Sequence, residues 1–438
     1  MTSSIRPKDR DAVLLSLRAG VVPRVGLDLI QVGRAGEVRA ALSDIECIAD
    51  GGSSFRVVIG EYGSGKTFFL NLVRSIALKK KLVTAHADLT PDRRLQASGG
   101  QARSMYAELM RNVSTPAKPD GGAMSGIVER FVMEALRQAR EQKASPEDVI
   151  HARLRDLEEM TGGYDFAAVV EAYWRGHDSG NEQLKSDAVR WLRGGFRIRT
   201  DAKRALGVSA IIDDASVYDH LKLMARFARH AGFNGMLVLL DELVNLYRLA
   251  NAQARNANYD QIQRILDDSS GGGTAVGLGF ALGGTPEFLT DTRRGLYSHP
   301  ALQSRLAENT FATQGLVDYT GPVVRLSGLS QEDFYLLLRN LRHVFAGGKE
   351  AKYLVPDEGL TAFMEHCSKR IGDAYFRTPR TTIKSFINLL AVLEQNPKAS
   401  WQELLGRVQV LKDEGPDTSD IPDAEAPASG NDLASFRL

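Results

Sequence analysis

The sequence predicts an α/β fold: a parallel-sheet core interrupted by a large helical insertion and closed by a C-terminal helical lid. Three observations carry this. The short β-branched run Phe55 to Gly60 (FRVVIG) stops at glycine and passes through GEYGSGKT into the helix-compatible TFFLNLVRSIALKKK. A second apolar run, Met236 to Leu240, ends in Asp241-Glu242. Between them, residues from about 100 to 205 alternate apolar and charged groups with the 3.6-residue period of amphipathic helices.

Taken in order, residues 1–50 read as helix and turn. DRDAVLLSLRAG and EVRAALSDIECIA have helical spacing, and VVPRVGLDLIQVGR is punctuated by proline and glycine. Residues 51–99 hold the first strand, the glycine loop, its helix and a second strand, Leu82 to Leu89. The insertion, 100–205, includes IVERFVMEALRQAREQ and VIHARLRDLEEM. Residues 206–328 restore the sheet with strands at Gly235 to Glu242, Gly277 to Gly284 and Pro322 to Leu329. The segment NLYRLANAQARNANYDQIQRILDDSS between two of these reads as helix, closed by a flexible Gly271-Gly272-Gly273. Ser330, with Asp333 at the capping-box position, opens the lid at 329–411. The tail 412–438 is acidic, rich in Pro, Ser and Gly, and reads as disordered. There is no internal repeat.

With 55 Lys+Arg against 54 Asp+Glu the net charge is near zero, so only a local patch can argue for a nucleic-acid partner. The two cysteines, Cys47 and Cys367, build no disulfide framework and fit a reducing compartment. No apolar run approaches the roughly 20 residues of a membrane span, and the N-terminus lacks a signal-peptide core. A soluble cytoplasmic protein without membrane contact is the expectation.

The glycines of GEYGSGKT let backbone N–H groups point at phosphate oxygens, and the following helix adds its positive dipole end. Gly60, Glu61, Tyr62, Gly63, Ser64, Gly65, Lys66, Thr67 and Phe68 are the expected nucleotide-binding residues, with Lys66 on the β- and γ-phosphates and Thr67 on Mg²⁺. The competing reading is a plain glycine turn; the flanking strand and helix argue against it. Asp241 ends a buried strand where open α/β sheets bind ligands, and is expected to hold Mg²⁺ with Thr67. Glu242 is expected to polarise the attacking water. An acidic helix N-terminus is the rival account of this pair.

Thr285, after Gly283-Gly284, either helps place that water or belongs to a simple turn. Arg305, at a helix end in ALQSRL, is the candidate for a finger inserted into a neighbouring subunit's site, with Arg293 and Arg294 as rivals and solvation as the alternative. Arg380, just after Pro379, either reaches the γ-phosphate from the lid or stays solvated.

This order of motifs resembles the AAA+ P-loop NTPases, and within them the ATP-binding proteins of bacterial BREX phage-defence systems, the BrxC/BrxD type. The resemblance runs from about Val22 to Leu393. It is carried by VVPRVGL, VGR, GEYGSGKTFFL, LLDELVNLY, GGTPEFLTDTRRGLYSHPALQSRL and RTPRTTIKSFINLL. It implies an ATPase that uses ATP and Mg²⁺, assembles with itself or with other defence-system proteins, and works in antiviral defence, on DNA or otherwise. The acidic pair usually lies closer to the phosphate loop in that class; here the insertion intervenes, and specificity is expected to reside there.

Three further readings stay open. ASGGQAR (Ala97 to Arg103) looks like the signature of ABC ATPases but lies too far before Asp241, and is taken as a loop. A nucleotide-driven switch or clamp that recruits partners with little hydrolysis is the rival to an ATPase. Arg190, Arg193, Arg197, Arg199, Lys203 and Arg204, with Trp191 and Phe196 among them, form the densest basic stretch, read either as a DNA contact or as a solvated face.

Overall fold

The computed structural model describes residues 5–270, 274–312 and 316–407. Five strands form one sheet: β1 Ser54–Gly60, β2 Val83–Asp88, β3 Met236–Asp241, β4 Leu278–Gly284 and β5 Val323–Leu326. They are ordered β2-β3-β4-β1-β5 and every ladder is parallel. Parallel neighbours require crossovers, so all five carboxyl ends lie along one edge. Both β3 and β4 are buried along their whole length, as strands covered on both faces should be.

The two-residue alternation of the strands divides the interior. Val57, Ile59, Val238 and Leu240 face one side, and Val58, Leu237 and Leu239 the other. The second side packs against the helices Ala35–Ala49 and Lys66–Lys79 through Ile45, Ile48, Phe69, Leu70 and Val73. The first side carries the insertion, whose helices run from Gln101–Arg111 to Arg199–Leu206, together with the returning helix Val217–His230. Aromatic contacts join them: Phe227 meets Phe131 at 5.0 Å and Phe166 at 5.5 Å, while Tyr218 meets Phe280 of β4 at 6.2 Å. The interior of these helices is continuous with the sheet's own core.

A separate apolar cluster forms the lid. Phe334, Leu338 and Leu341 of the Gln331–Phe345 helix pack with Phe363, Phe386 and Leu390. Ile5, Val13, Leu14 and Ile30 complete the same cluster, so the start of the chain is part of the lid. The capping box is formed as expected, with the Asp333 backbone N–H donating to Ser330 Oγ at 3.0 Å and the Ser330 N–H to Asp333 Oδ2 at 3.2 Å. Both cysteines are free, Cys47 exposed and Cys367 buried. Among the described residues, no helix is long and apolar enough to cross a membrane.

Three local expectations change. The segment after Glu242 is two helices, Val244–Tyr247 and Ala252–Asp268, because Asn251 caps the second by accepting from the Ala254 N–H at 2.9 Å. Only the first part of ASGGQAR is a loop. Asp214 accepts from the backbone N–H groups of Gly100 and Arg103 at 2.6 and 2.8 Å, and this remote cap starts a helix at Gln101. The final strand stops at Leu326 rather than Leu329. Gly271-Gly272-Gly273 and the tail 412–438 lie outside the described residues.

Because one core serves both the insertion and the sheet, truncating its centre should weaken both. Phe227→Ala is expected to cost about 3–5 kcal/mol, the usual range for a buried Phe-to-Ala change. Urea unfolding would measure it, with hydrogen exchange in β3 and in the Met124–Gln142 helix accelerating together.

Candidate functional site

The carboxyl edge of the sheet gathers the polar residues. β1 ends at Gly60, and the chain turns through Gly63 (φ 77°) and Gly65 (φ 84°) into the helix that begins at Lys66. The left-handed conformation at Gly63 suits glycine, and space there is equally restrictive: a Cβ would sit 2.7 Å from Thr378 Cγ2 of the lid. The lid thus rests directly on the loop. Phe68, one turn into the helix, packs on the lid cluster from the same side.

Lys66 Nζ donates to the carbonyls of Gly60 and Glu61 at 2.7 and 2.9 Å. Desolvation lowers its pKa, opposed by the charges of Asp241, Glu242, Glu61 and Glu287. Neutral carbonyls are replaceable partners for an ammonium, and phosphate oxygens are stronger ones. Ser64 is buried, and its Oγ has no hydrogen-bond partner among the described residues.

Thr67 Oγ1 donates to Asp241 Oδ2 at 2.7 Å, spanning from the loop helix to the end of β3. The other carboxylate oxygen, Oδ1, accepts from the Glu242 backbone N–H at 2.8 Å. Glu242 is held at φ 59°, a left-handed conformation that costs a non-glycine residue roughly 1–2 kcal/mol. That bend turns its side chain out of the strand direction and leaves it solvent-accessible. Desolvation by the cleft walls, then the charges of Asp241 and Asp88, push its carboxyl pKa up, against Lys66 and Arg248. Asp88 closes β2 in register with Asp241, and its pKa is raised by the same two causes, desolvation first and Asp241 second.

Thr285 follows β4, the strand between β3 and β1, so it stands between the acidic pair and the loop. Its hydroxyl is buried, makes no helix cap and has no hydrogen-bond partner among the described residues. Arg380 Nη1 donates to the Tyr62 hydroxyl at 3.4 Å, bringing a lid cation onto the loop. Arg305 is not in this cluster. Its Nε and Nη2 donate to Asp267 at 2.5 and 3.2 Å, on a face where its side chain is 40% exposed. Of its rivals, Arg294 is committed internally to the Tyr247 and Leu249 carbonyls at 3.4 and 3.2 Å, while Arg293 is exposed.

Two residues escaped the sequence reading. Asp88 had a visible signal, an acid ending an apolar strand just as Asp241 does. Arg34 had only its place in the VGR string. It adopts φ 60°, donates through Nη2 to the Ser64 carbonyl of the loop and to the Ser327 carbonyl at 3.4 Å, and leaves Nη1 buried without a partner. Burial lowers its pKa, opposed by Glu37 and Asp333. In the basic stretch, Trp191 and Phe196 are buried and belong to the core, so they offer no exposed aromatic face.

The donor set fits a polyphosphate with a hard divalent cation. An ammonium on replaceable partners, a free buried hydroxyl and a glycine loop without side-chain bulk suit the phosphates, and the Thr67 and Asp241 oxygens suit Mg²⁺. Seating the lid on Gly63 should matter to this arrangement. Gly63→Ala is expected to destabilise the lid packing by about 1–3 kcal/mol, the usual cost of overpacking. Limited proteolysis would register faster cleavage in the lid than in the sheet.

Comparison with known proteins agrees with this geometry. No curated protein matches the chain. A family model described as BREX system ATP-binding protein BrxC/D matches residues 5–409, which span the loop, the acidic pair, the insertion and the lid. The chain belongs to the BREX system ATP-binding protein family BrxC/D.

Proposed function

We propose that this protein is a Mg²⁺-dependent ATPase of AAA+ type. It would work as an oligomer in the cytoplasm, with other proteins of an antiphage defence system and on DNA. The observation that carries the reading is the Thr67–Asp241 hydrogen bond at 2.7 Å, flanked by Lys66 and Glu242.

In this reading Lys66 exchanges the Gly60 and Glu61 carbonyls for β- and γ-phosphate oxygens, and the loop N–H groups hold the rest of the chain of phosphates. Thr67 and Asp241 would hold Mg²⁺, which would neutralise charge on the phosphates. Glu242 orients a water and accepts its proton on the carboxylate as the water oxygen bonds to the γ-phosphorus and the bond from that phosphorus to the β–γ bridging oxygen breaks, ADP leaving with the electron pair. Thr285 fixes the water's position with its free hydroxyl. Arg380 approaches from the lid beside Tyr62. Arg305 leaves Asp267 to enter the site of a neighbouring subunit.

The ATP-gated clamp with little turnover keeps one specific support, the lid resting on Gly63 and Phe68, since such packing suits a nucleotide-controlled hinge. Glu242→Gln separates the two. Hydrolysis requires its turnover to fall by at least about 100-fold with ATP binding retained, as expected for loss of a general base. The clamp reading instead leaves function intact in the variant. Because desolvation and neighbouring acids raise the Glu242 pKa, turnover should be lost as pH falls through a value above the ordinary carboxylate range, where the base becomes protonated.

A finger acting in trans makes a distinct prediction. Arg305→Ala should bind ATP and assemble normally while turnover drops by about 10³-fold or more, the scale known for such arginines. Mixing it with Lys66→Ala protein should restore part of the rate, because each variant supplies what the other lacks. Sedimentation with and without ATP would check assembly, and an active monomer would sink the trans reading.

A further inference from the structure

An open groove of about 720 Å³ runs across the insertion, away from the phosphate loop. Arg111 lines it from the Gln101–Arg111 helix, and Lys185, Ser186, Arg190 and Arg193 line it from the Glu182–Leu192 helix and its end. The one acid in its wall is Glu182, paired with Lys185 at 3.0 Å. Arg111 is held by Glu108 at 2.7 Å. Arg190 lies over the ring of Phe196 at 4.4 Å and has no carboxylate partner among the described residues. Arg193 is half-buried and its Nε is without a hydrogen bond; burial lowers its pKa with no neighbouring acid to oppose it.

The groove opens at Gly195, and the chain continues from there into exposed Arg197, Arg199, Lys203 and Arg204. Of these, Arg199 is 3.8 Å from Asp213 and Arg204 is 3.9 Å from Asp201, while Arg197 and Lys203 have no ion pair among the described residues. Residues 185–204 contain seven Lys or Arg against two Asp, in a chain whose total charge is +1. Such local excess costs self-repulsion in the isolated protein, and a polyanion removes that cost.

We infer that this groove and the strip beyond it form a docking surface for the phosphate backbone of duplex DNA. The inference rests on the reading of DNA as a partner and gives it a place. Four cations without acidic partners among the described residues supply sequence-independent phosphate contacts. Duplex is favoured over single strand because single-strand grooves add exposed aromatic platforms. Here Trp191 and Phe196 are buried, and the Tyr173 ring is covered by Lys185 at 5.6 Å. The groove makes no contact with ATP in this scheme, so it senses DNA independently of hydrolysis.

The test is fluorescence anisotropy of the full chain with a mixed-sequence DNA duplex, its single strand and a duplex RNA, across roughly 50–200 mM salt. The double variant Arg190→Gln/Arg193→Gln should bind duplex DNA at least about 10-fold more weakly and lower the slope of log affinity against log salt by about two. Since Arg193 is partly buried, a second variant at exposed positions, Arg197→Gln/Lys203→Gln, should lower the slope by a similar amount without altering the melting curve. The groove variants should keep basal ATP turnover and lose any stimulation by duplex. Wild-type protein that fails to bind duplex, variants that bind it unchanged, or tighter binding of single strand or RNA would each overturn the inference. Glu242→Gln keeps duplex affinity if the groove acts as inferred, so normal turnover in that variant would count against the hydrolase and leave the groove standing.

Discussion

The hydrogen bond from Thr67 to Asp241 joins residues 174 positions apart, and most of the architecture serves to make it possible. A hydroxyl donating to a carboxylate contributes about 1.5–3 kcal/mol, too little to drag a chain of that length into place. The bond instead reports that other forces have aligned the strand ends. Register does the alignment: Asp88 opposes Asp241 across β2 and β3, and β4 fills the space between β3 and β1. Sheet spacing of about 4.8 Å then puts β1 and β3 roughly 10 Å apart, a distance that a loop and a helix start can bridge. The insertion contributes by sharing its apolar interior with the sheet, which fixes where the chain re-enters at Met236.

Local conformation converts this alignment into chemistry. Two glycines and two non-glycines with positive φ surround the cleft: Gly63, Gly65, Arg34 and Glu242. Each turns a group toward the same volume that an extended or helical backbone would have directed elsewhere. The strain at Glu242 is offset by its N–H on Asp241, so the carboxylate proposed to hold Mg²⁺ also sets the direction of the carboxylate proposed to take the proton. Like charge among Asp88, Asp241 and Glu242 raises the energy of the ionised state, and the Lys66 ammonium works against it.

Much of this was legible in sequence. Five apolar runs gave five strands, and glycine, lysine and threonine at fixed offsets located the loop. The two acids and Thr285 followed from their positions at strand ends. What escaped depends on through-space contact. Arg34 meets Ser64 across 30 residues, and no periodicity announces that approach. Asp214 caps a helix 111 residues away from it, converting a stretch that reads as loop into a helix start. Trp191 and Phe196 are spaced among arginines, but whether each ring turns inward is decided by the packing partner. Asp88 could have been singled out, since it ends its strand as Asp241 does; strand order alone makes it a neighbour.

The path of the N-terminal segment has a mechanical consequence. The chain enters the sheet from the lid cluster through Arg34, and returns to the lid through Ser327. These crossings lie side by side, joined by the Arg34–Ser327 contact, and Gly33 lies so close to Asp333 that a Cβ on it would be 2.9 Å from the carboxylate. A body attached by one strand can swivel and twist; a body attached by two adjacent strands behaves as a door on two pins. Two adjacent crossings restrain the lid more than a single one would. The same lid carries both Thr378 against Gly63 and Arg380 against Tyr62, so the two contacts on the loop belong to one body.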